Sequence, residues 1–456
     1  MKNYDVIVIG SGAGAIISDE AAAQGLKTAL IDKGPLIGGT CLNWGCIPSK
    51  MLIYTADRLV EIEEANKLGI EAEIKSIDFH SIMERMRKSR RENQLHIREG
   101  IKQSKNLDFY EGEGYFVGDY LLEVNGEKLK GERIFIASGS RPFIPPIKGS
   151  GNVDYLTNES ALELKEKPDS LAIIGGGYIA VEFGHFFAAM GTKVTILEMA
   201  DRMVLSEEPE ISQLLKDELS KRMTIQTNTL VEEVKDSENG ILVITKDTRT
   251  DKRRECTAQR IMMAVGRMSN ADILKVENSG VETDKKGFIK VNEYLETNRK
   301  GIFAIGDANG QQMFRHMANK EAEIVVQNAF YGTNIKVDYS AVPHAVYSHP
   351  QVASVGLTEM QARENYNILI GRMKYFNIAK GKAMMEKEAF AKAMVEKGSY
   401  KILGFHIIGP YAPELIQEVV NAMTTGGGVE ELGQGIHIHP SLSEIVQYTL
   451  SSLEES

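Results

Sequence analysis

Residues 6–15 have the sequence VIVIGSGAGA, in which four apolar residues run directly into a glycine-rich turn. The unbroken apolar run at 6–9 predicts a strand that is buried on both faces. After the turn we expect a helix over residues 14–24 and a second strand over residues 28–31. This order of elements is a βαβ unit, and its glycine spacing is typical of dinucleotide-binding folds.

The first turn has the residues that a bound pyrophosphate requires. Gly10 makes the tight turn, Gly12 lets the backbone approach the phosphates, and Ala15 is expected to be small so that the helix can pack on the strand. Gly14 begins the helix, whose N-terminal end attracts the phosphate. Asp32 ends the second strand 22 residues after Gly10, where its carboxylate can accept hydrogen bonds from ribose hydroxyls.

A second βαβ unit follows the same pattern later in the chain. Strands are predicted at 171–174 and 194–197, with a glycine turn and a helix through about residue 190 between them. The chain therefore contains two nucleotide domains rather than one tandem repeat.

The second strand of this later unit ends in an acid, Glu198. Gly175 and Gly177 lie in its turn and repeat the phosphate-binding logic. An acid at the strand end would repel a 2′-phosphate, so the second cofactor is predicted to be NAD rather than NADP. Arg202 lies four residues further on and would weaken that preference.

Composition excludes several classes of protein. A chain of 456 residues exceeds one ordinary core and predicts two to four domains. The net charge of −10 has the wrong sign for a dedicated nucleic-acid binder. The densest basic run, between residues 85 and 91, is interpreted as the solvated face of a helix rather than a phosphate-binding patch.

The chain shows no sign of a membrane segment. No stretch approaches the roughly 18–20 consecutive apolar residues that a membrane span requires. The first residues lead straight into a strand without the apolar core of a signal peptide, so we expect a cytoplasmic protein. In that reducing compartment, a close cysteine pair is more often redox-active or metal-binding than structural.

Cys41 and Cys46 form such a pair within GGTCLNWGCIPSK, residues 38–50. Two cysteines five apart at a helix start can close a small disulfide ring, and the helix N-terminus lowers the pKa of a thiol. Two unrelated buried cysteines, or half of a zinc site, are the alternatives. A four-thiolate zinc site is short of ligands because only Cys256 remains, although histidines could complete one. We expect no metal and treat Cys256 as incidental.

The segment at 38–50 closely resembles the active-site segment of the pyridine nucleotide–disulfide oxidoreductases, the family of dihydrolipoamide dehydrogenase, glutathione reductase and mercuric reductase. Further similar segments lie over nearly the whole chain. They are residues 136–140, 264–267, 301–307 and 346–350. One departure is Ser269, which stands where the family commonly has proline.

The resemblance implies a fold class and a domain order. The fold is expected to be α/β, with two Rossmann-like dinucleotide-binding domains, for FAD and NAD, and a C-terminal α+β dimerisation domain. The implied domains are an FAD-binding domain at 1–145, an NAD-binding domain at 146–267, a return to the FAD domain at 268–335, and an interface domain at 336–456.

The resemblance also implies the residues of both cofactor sites. For FAD they are Gly10, Gly12, Gly14, Ala15, Asp32, Lys33, Gly39, Thr40, Lys50, Ser138, Gly139, Gly306 and Asp307. For NAD they are Gly175, Gly177, Tyr178, Ile179, Glu182, Glu198 and Gly266. Among these, Tyr178 resembles the aromatic lid over the flavin, and Glu182 is expected to pair with Lys50 beside it.

The catalytic roles follow from the same resemblance. Substrate thiolate attacks Cys41, and Cys46 is the sulfur nearer the flavin. HIHPSLSE, residues 437–444, resembles the family's acid–base segment, in which His439 is the base and Glu444 orients it. In the family this segment comes from the other subunit, so a homodimer is implied. His437 is interpreted as a neighbour, and the remaining histidines, including His185, as structural or surface residues.

The substrate is the least determined feature. The motifs at 38–50, Glu198 and the paired histidines are most similar to those of dihydrolipoamide dehydrogenases, so a small dithiol or a protein-bound lipoyl group is expected. Residues 14–20 and the segment HPSLSEIVQYTL also resemble mycothione reductases, which reduce a small disulfide. A mercuric-reductase-like enzyme is a further alternative, although the last residues lack the cysteine pair that mercuric reductases of this family carry. An NADH oxidase or diaphorase, or a scaffold with unused nucleotide folds, are alternatives of a different class.

Overall fold

The computed structural model describes residues 1–455, which group into two compact units. The first unit comprises residues 1–51, 83–143 and 266–338. The second comprises residues 52–82 and 144–265, and continues from Tyr339 to the end of the described chain. The predicted domain boundaries after residues 145, 267 and 335 stay predictions.

The first unit is built on a seven-stranded sheet. Lys2–Ile9 lies at its centre and pairs in parallel with Thr28–Asp32 on one side and Glu127–Ile136 on the other. The remaining strands are Leu107–Glu111, Tyr115–Gly118, Leu121–Val124 and Ile302–Ala304. The strand predicted at 6–9 is confirmed, and all four of its residues are at most 4% exposed.

Alternation along the central strand divides the core of this unit into two layers. Val6 and Val8 pack with the helices Gly14–Ala23 and Arg315–Tyr331 on one face of the sheet. Ile7 and Ile9 pack on the other face against the antiparallel strands around Phe116. A strand buried on both faces needs apolar residues at every position, which explains the unbroken apolar run.

The helix Phe79–Gln103 carries the basic run that was interpreted as solvated. That interpretation is right for Arg91, which is exposed and pairs with Glu84, but wrong for Arg90. Arg90 is only 8% exposed and its guanidinium lies 5.0 Å from the ring centre of Trp44. A partner 46 residues earlier in the chain overrides the local charge pattern.

The second unit contains a five-stranded parallel sheet, the second predicted nucleotide fold. Ser170–Ile174 is followed by the glycine turn, the helix Tyr178–Ala189 and the strand Lys193–Leu197. The other strands are Tyr155–Leu156, Thr224–Gln226 and Arg260–Met263, and the helix Pro209–Leu219 precedes Thr224. A separate three-stranded antiparallel sheet follows at Thr229–Ser237, Gly240–Asp247 and Arg253–Ala258.

The C-terminal part of the second unit is an antiparallel sheet with helices, as predicted for the α+β portion. Its six strands are Pro343–Val346, Val352–Gly356, Ile368–Lys374, Phe390–Glu396, Ile402–Ile408 and Glu454–Glu455. The helices Gln417–Thr424 and Glu444–Ser451 pack on it through Val419, Ile445 and Val446. Within residues 1–455, none of the helices is both long and apolar enough to cross a membrane.

Candidate active site

The two cysteines lie on consecutive helices separated by a short break. Cys41 is in the five-residue helix Gly39–Asn43, and Cys46 is the first residue of the 18-residue helix Cys46–Glu63. Trp44 and Gly45 form the break, and the Trp44 N–H donates to the Thr40 carbonyl at 2.8 Å. Cys46 is exposed and Cys41 partly buried, and both are thiols that hydrogen-bond to each other.

The hydrogen bond between the thiols makes their titration unequal. The contact with Cys46 lowers the pKa of Cys41 to about 7, and the positive charges of Arg315 and Lys50 act in the same direction. The same hydrogen bond raises the pKa of Cys46. The pair therefore loses one proton near neutral pH and holds the second one strongly. A thiol pair with one accessible thiolate is suited to disulfide exchange.

The first glycine turn approaches the neighbouring backbone too closely for a side chain. Gly10 has φ +104°, and a Cβ on it would lie 2.2 Å from the Ala137 carbonyl oxygen. The tight packing of helix on strand, predicted for Ala15, is found at Gly14. A Cβ on Gly14 would lie 2.8 Å from Val8 Cγ1, whereas Ala15 is only partly buried.

The turn is joined to the cysteine segment at its other side. A Cβ on Gly39 would lie 2.7 Å from Gly12 Cα, and a Cβ on Gly12 would lie 3.6 Å from Arg315 Nη1. Gly39 begins the helix that carries Cys41, so the first glycine turn and the cysteine segment are in contact within the first unit. Arg315 has no motif signal in the sequence.

The Asp32 carboxylate is oriented by hydrogen bonds from Ser11, in the first glycine turn, and from Gly34. Its Oδ2 accepts hydrogen bonds from the Ser11 N–H at 2.9 Å and from the Ser11 hydroxyl, and its Oδ1 accepts from the Gly34 N–H at 3.1 Å. The Ser11 hydroxyl in turn accepts from the Gly38 N–H at 2.6 Å. Lys33, the next predicted residue, is exposed. A carboxylate held in this way can still accept hydrogen bonds from ribose hydroxyls.

Asp307, another predicted FAD residue, is held by two side chains of the first unit. Its Oδ2 accepts a hydrogen bond from the Ser140 hydroxyl at 2.5 Å and lies 3.7 Å from Arg267 Nε. Gly306, with φ +64°, donates its N–H to the fully buried Glu321 at 2.6 Å. Sequence reasoning missed Glu321, which lies mid-helix without a motif.

Ser138 provides a test of whether these residues fit a cofactor. Its hydroxyl oxygen is buried and has no hydrogen-bond partner among the described residues. Next to it, Gly139 has φ +68° and no atom within 4 Å of its Cβ position. Buried hydroxyls are normally hydrogen-bonded, so an unpaired one beside open space fits a bound polar ligand. Together with the closed glycine turn, these features fit FAD.

The second glycine turn repeats the first in the second unit. Gly175 has φ +111°, and a Cβ on it would lie 2.3 Å from the Ala264 carbonyl oxygen. Gly177 has open space at its Cβ position, and so does Gly266, which belongs to the first unit. Tyr178 begins the helix and is 39% exposed. The turn is therefore closed toward the sheet and open where a dinucleotide would lie.

Glu198 lies against this turn. Its Oε1 accepts from the Ala200 N–H at 2.7 Å, and a Cβ on Gly176 would lie 2.8 Å from its side chain. Arg202 donates to the Leu205 carbonyl at 3.0 Å. These contacts fit NAD, because Glu198 is held at the end of its strand and the nearby arginine is hydrogen-bonded to the backbone.

The helix after the second turn carries two buried polar residues. Glu182 is 5% exposed and accepts from the Tyr347 N–H at 3.2 Å. Its predicted pairing with Lys50 stays a prediction. His185 is fully buried, its Nε2 lies 2.8 Å from Asp57 Oδ1, and burial lowers its pKa, so it is a neutral structural histidine. Ile179, between the turn and these residues, is partly buried.

His439 and Glu444 form the predicted pair in the second unit. His439 Nδ1 lies 2.9 Å from Glu444 Oε1, and Glu444 Oε2 accepts from the Ser441 N–H at 3.0 Å. The hydrogen bond from His439 lowers the pKa of Glu444. The His439 side chain is 67% exposed and that of Glu444 only 7% exposed. With Nδ1 held by a carboxylate, Nε2 is the ring nitrogen that can exchange protons with a substrate.

Among residues 1–455, one group of carboxylates has the spacing to hold a metal ion, at Glu208, Glu210 and Glu359. The buried ammonium of Lys392 lies 2.6–2.7 Å from an oxygen of each of them. This group is therefore the counter-charge of a lysine and not part of the cofactor sites.

Comparison with known proteins agrees with these features. A family profile described as pyridine nucleotide-disulphide oxidoreductase matches residues 4–322, and the dimerisation domain of that family matches residues 342–450. Mycothione reductase of Mycobacterium tuberculosis is 34% identical over 99% of this chain and 100% of its own length. Dihydrolipoyl dehydrogenase of Bacillus subtilis is also 34% identical, over 97% of this chain and 96% of its own.

A solved structure has the same fold. The HOCl-induced flavoprotein disulfide reductase RclA from Escherichia coli superposes with a TM-score of 0.87 at 29% identity, over 98% of this chain and 99% of that one. With both family profiles matched, the chain belongs to the FAD-dependent pyridine nucleotide–disulfide oxidoreductases, a family that binds FAD and a pyridine nucleotide.

Proposed function

We propose that this enzyme passes electrons between NAD(H) and a dithiol or disulfide substrate through a Cys41–Cys46 disulfide, and that dihydrolipoamide is the first substrate to test. The observation that carries the proposal is the thiol pair itself. Its two sulfurs share a hydrogen bond, one of them titrates near neutral pH, and its helix contacts the first glycine turn.

In the proposed reaction His439 takes a proton from a substrate thiol. Glu444 holds the ring through Nδ1 and stabilises the imidazolium that forms, because a buried carboxylate beside it is ionised. The substrate thiolate attacks the sulfur of Cys41, and the sulfur of Cys46 leaves as a thiolate. A second exchange releases oxidised substrate and leaves both cysteines reduced.

The residues of this chain would bind and orient the cofactors rather than perform their redox chemistry. FAD supplies the two-electron chemistry that no side chain can perform. Lys50 lies one turn after Cys46 on the same helix, where its charge would stabilise negative charge near the sulfurs. We propose that Glu182 orients Lys50, that Tyr178 covers the flavin until the nicotinamide binds, and that Glu198 selects NAD.

A second substrate class is supported by the relatives. Mycothione reductase and dihydrolipoyl dehydrogenase are equally identical to this chain, so reduction of a small disulfide is the alternative. The deciding experiment compares rates with dihydrolipoamide plus NAD⁺ and with small disulfides plus NADH or NADPH. A rate with dihydrolipoamide at least about tenfold above all others supports the proposal. A preference for a small disulfide contradicts its substrate, and a preference for NADPH contradicts the role of Glu198.

Replacement of Cys41 tests the redox pair. We expect Cys41→Ser to abolish disulfide turnover while FAD stays bound, because the exchange step loses its electrophilic sulfur. In anaerobic titration the wild type should accept about four electrons per flavin, and the variant about two. Cys256→Ser is the matched control and should leave both values unchanged. Retained disulfide turnover in Cys41→Ser would refute the role of Cys41. Uptake of only about two electrons per flavin by the wild type would indicate a diaphorase or oxidase instead.

A further inference from the structure

Two side chains of the helix Phe79–Gln103 enclose the break between the cysteine helices. Arg90 and Gln94 are four residues apart, so they lie on the same face of that helix. They are 8% and 7% exposed, and both contact Asn43, which is 1% exposed. Neither residue belongs to the redox motif, and neither has a role in the proposed reaction.

Gln94 links Asn43, the last residue before the break, to Ile37, which precedes the helix Gly39–Asn43. Its Nε2 donates to Asn43 Oδ1 and to the Ile37 carbonyl, each at 2.5 Å, and its Oε1 accepts from the Ile37 N–H at 2.9 Å. Asn43 Nδ2 donates to the Leu36, Ile37 and Gly39 carbonyls. The hydrogen bonds of the Gln94 amide and the one from Asn43 to the Ile37 carbonyl are buried, so a lost partner leaves an unsatisfied polar group.

Arg90 contacts Trp44, the first residue of the break. Its guanidinium carbon lies 5.0 Å from the ring centre of Trp44, and its Nη1 donates to the Asn43 carbonyl at 3.3 Å. Arginine is suited to this position because its planar group can stack on an aromatic ring and donate hydrogen bonds at its edge. Trp44 lies between the two cysteines, so Arg90 restrains the chain inside the disulfide ring.

We propose that Arg90 and Gln94 are positioning residues which hold Asn43 and Trp44 so that the sulfurs of Cys41 and Cys46 stay within closing distance, and that this restraint favours the disulfide over the dithiol. The inference deepens the proposed function and rests on it. Without the restraint the dithiol gains conformational freedom, whereas the disulfide is already restrained by its own bond. Loss of the restraint should therefore make the disulfide easier to reduce.

The equilibrium with dithiothreitol measures this effect. The Cys41–Cys46 disulfide and dithiothreitol exchange to give the Cys41 and Cys46 thiols and oxidised dithiothreitol, so two electrons and two protons pass between them. FAD-loaded enzyme is equilibrated anaerobically at a series of dithiothreitol ratios and quenched with acid. Alkylation and mass spectrometry then give the reduced fraction of the 41–46 peptide.

For Arg90→Met we expect a shift of about tenfold toward the dithiol, which corresponds to a midpoint potential about 30 mV more positive. Trp44→Val should shift the equilibrium in the same direction. In the Trp44→Val background, Arg90→Met should have a smaller effect, because part of its action passes through the ring. Arg91→Met is the matched control, since it removes the same charge from the exposed side of the helix and should cause no shift.

The outcomes separate this inference from the proposed function. If Arg90→Met and Trp44→Val both stay within about twofold of wild type, or if Arg91→Met shifts the equilibrium equally, the positioning role is refuted. That result leaves the Cys41→Ser test intact. If Arg90→Met does not retain FAD, the Trp44→Val equilibrium decides, because the valine leaves the buried hydrogen bonds of Asn43 and Gln94 in place.

Discussion

At the scale of single residues, the redox pair is an unequal pair of acids. The resemblance implies that Cys46 is the sulfur nearer the flavin. In this structure the thiol with the lower pKa is the other one, Cys41. The reason is that Cys41 accepts the hydrogen bond from Cys46 and faces the positive charges of Arg315 and Lys50. The pair carries a single thiolate after losing its first proton, and that thiolate forms on the sulfur that accepts the hydrogen bond from the other.

This asymmetry predicts how the reduced enzyme reacts with iodoacetamide. Alkylation of Cys41 should rise with pH about a midpoint near 7, since below it both sulfurs hold protons and above it one thiolate forms. Cys256 should react only at higher pH, because burial raises its pKa. Rates at each cysteine can be read by peptide mapping.

The control for that profile is Cys46→Ala, which removes the hydrogen-bond donor. Its midpoint at Cys41 should move up toward the ordinary thiol value of about 8.5. If the alkylation midpoint of Cys41 in the wild type already lies at that value, the hydrogen bond from Cys46 does not lower the pKa of Cys41.

At the scale of elements, the two glycine turns have the same geometry. Gly10 and Gly175 both have positive φ, and a Cβ on either would lie within 2.3 Å of a carbonyl oxygen from a neighbouring segment. The helix after the first turn is positioned further by Gly14, which lies against Val8 and Ala137. Each turn is thus closed by backbone that arrives from more than 80 residues away in the chain.

A pair of glycine substitutions tests this packing. Gly14→Ala places a methyl group 2.8 Å from Val8 Cγ1 and 2.9 Å from Ala137 Cβ, neither of which can move easily. We expect a loss of about 1–3 kcal/mol in the free energy of unfolding, and weaker FAD retention. Gly100→Ala lies in a helix with no atom within 4 Å of the new Cβ, and should gain about 0.5–1 kcal/mol. Denaturant unfolding measures the free energy of unfolding of both variants. Equal changes in Gly14→Ala and Gly100→Ala would contradict the close packing at Gly14.

At the scale of the whole molecule, residues 438–440 of the predicted acid–base segment are exposed in a single chain. Ile436 and Ile438 are 99% and 78% exposed, and His439 lies next to them. Exposed apolar residues grouped on one segment are typical of an interaction surface. The chain carries the family's dimerisation domain at 342–450, which supports a homodimer.

A mixed dimer tests whether His439 serves the disulfide of the partner subunit. Cys41→Ser and His439→Gln chains, coexpressed with different tags, can be purified as a heterodimer. If the base acts across the dimer, one site keeps both groups, and the heterodimer should have about half of the wild-type rate per dimer. If the base acts within its own subunit, neither site is complete, and the rate should be the mean of the two homodimer rates, which is about half of the rate of the His439→Gln homodimer. A monomer in light scattering would contradict the proposal at the outset.

Several site residues could not be found from the sequence. Arg90 follows a basic pattern that indicates a solvated face, yet it is buried on Trp44. Arg315, Glu321 and Asp57 lie outside the motifs. Their partners come from distant segments, and a local pattern has no information on such contacts.

The sequence by itself determined the two βαβ units, the acids that end their second strands, the cysteine pair and the family. These features depend on residues adjacent in the chain, where turn geometry and buried strands permit few residue types. Only the tertiary structure decided that Gly14 rather than Ala15 packs on the strand, which thiol takes the lower pKa, and that Arg90 and Gln94 enclose the redox segment. Each of these depends on side chains that folding brings together from separate parts of the chain, and their distances and charges exist only once the core has packed.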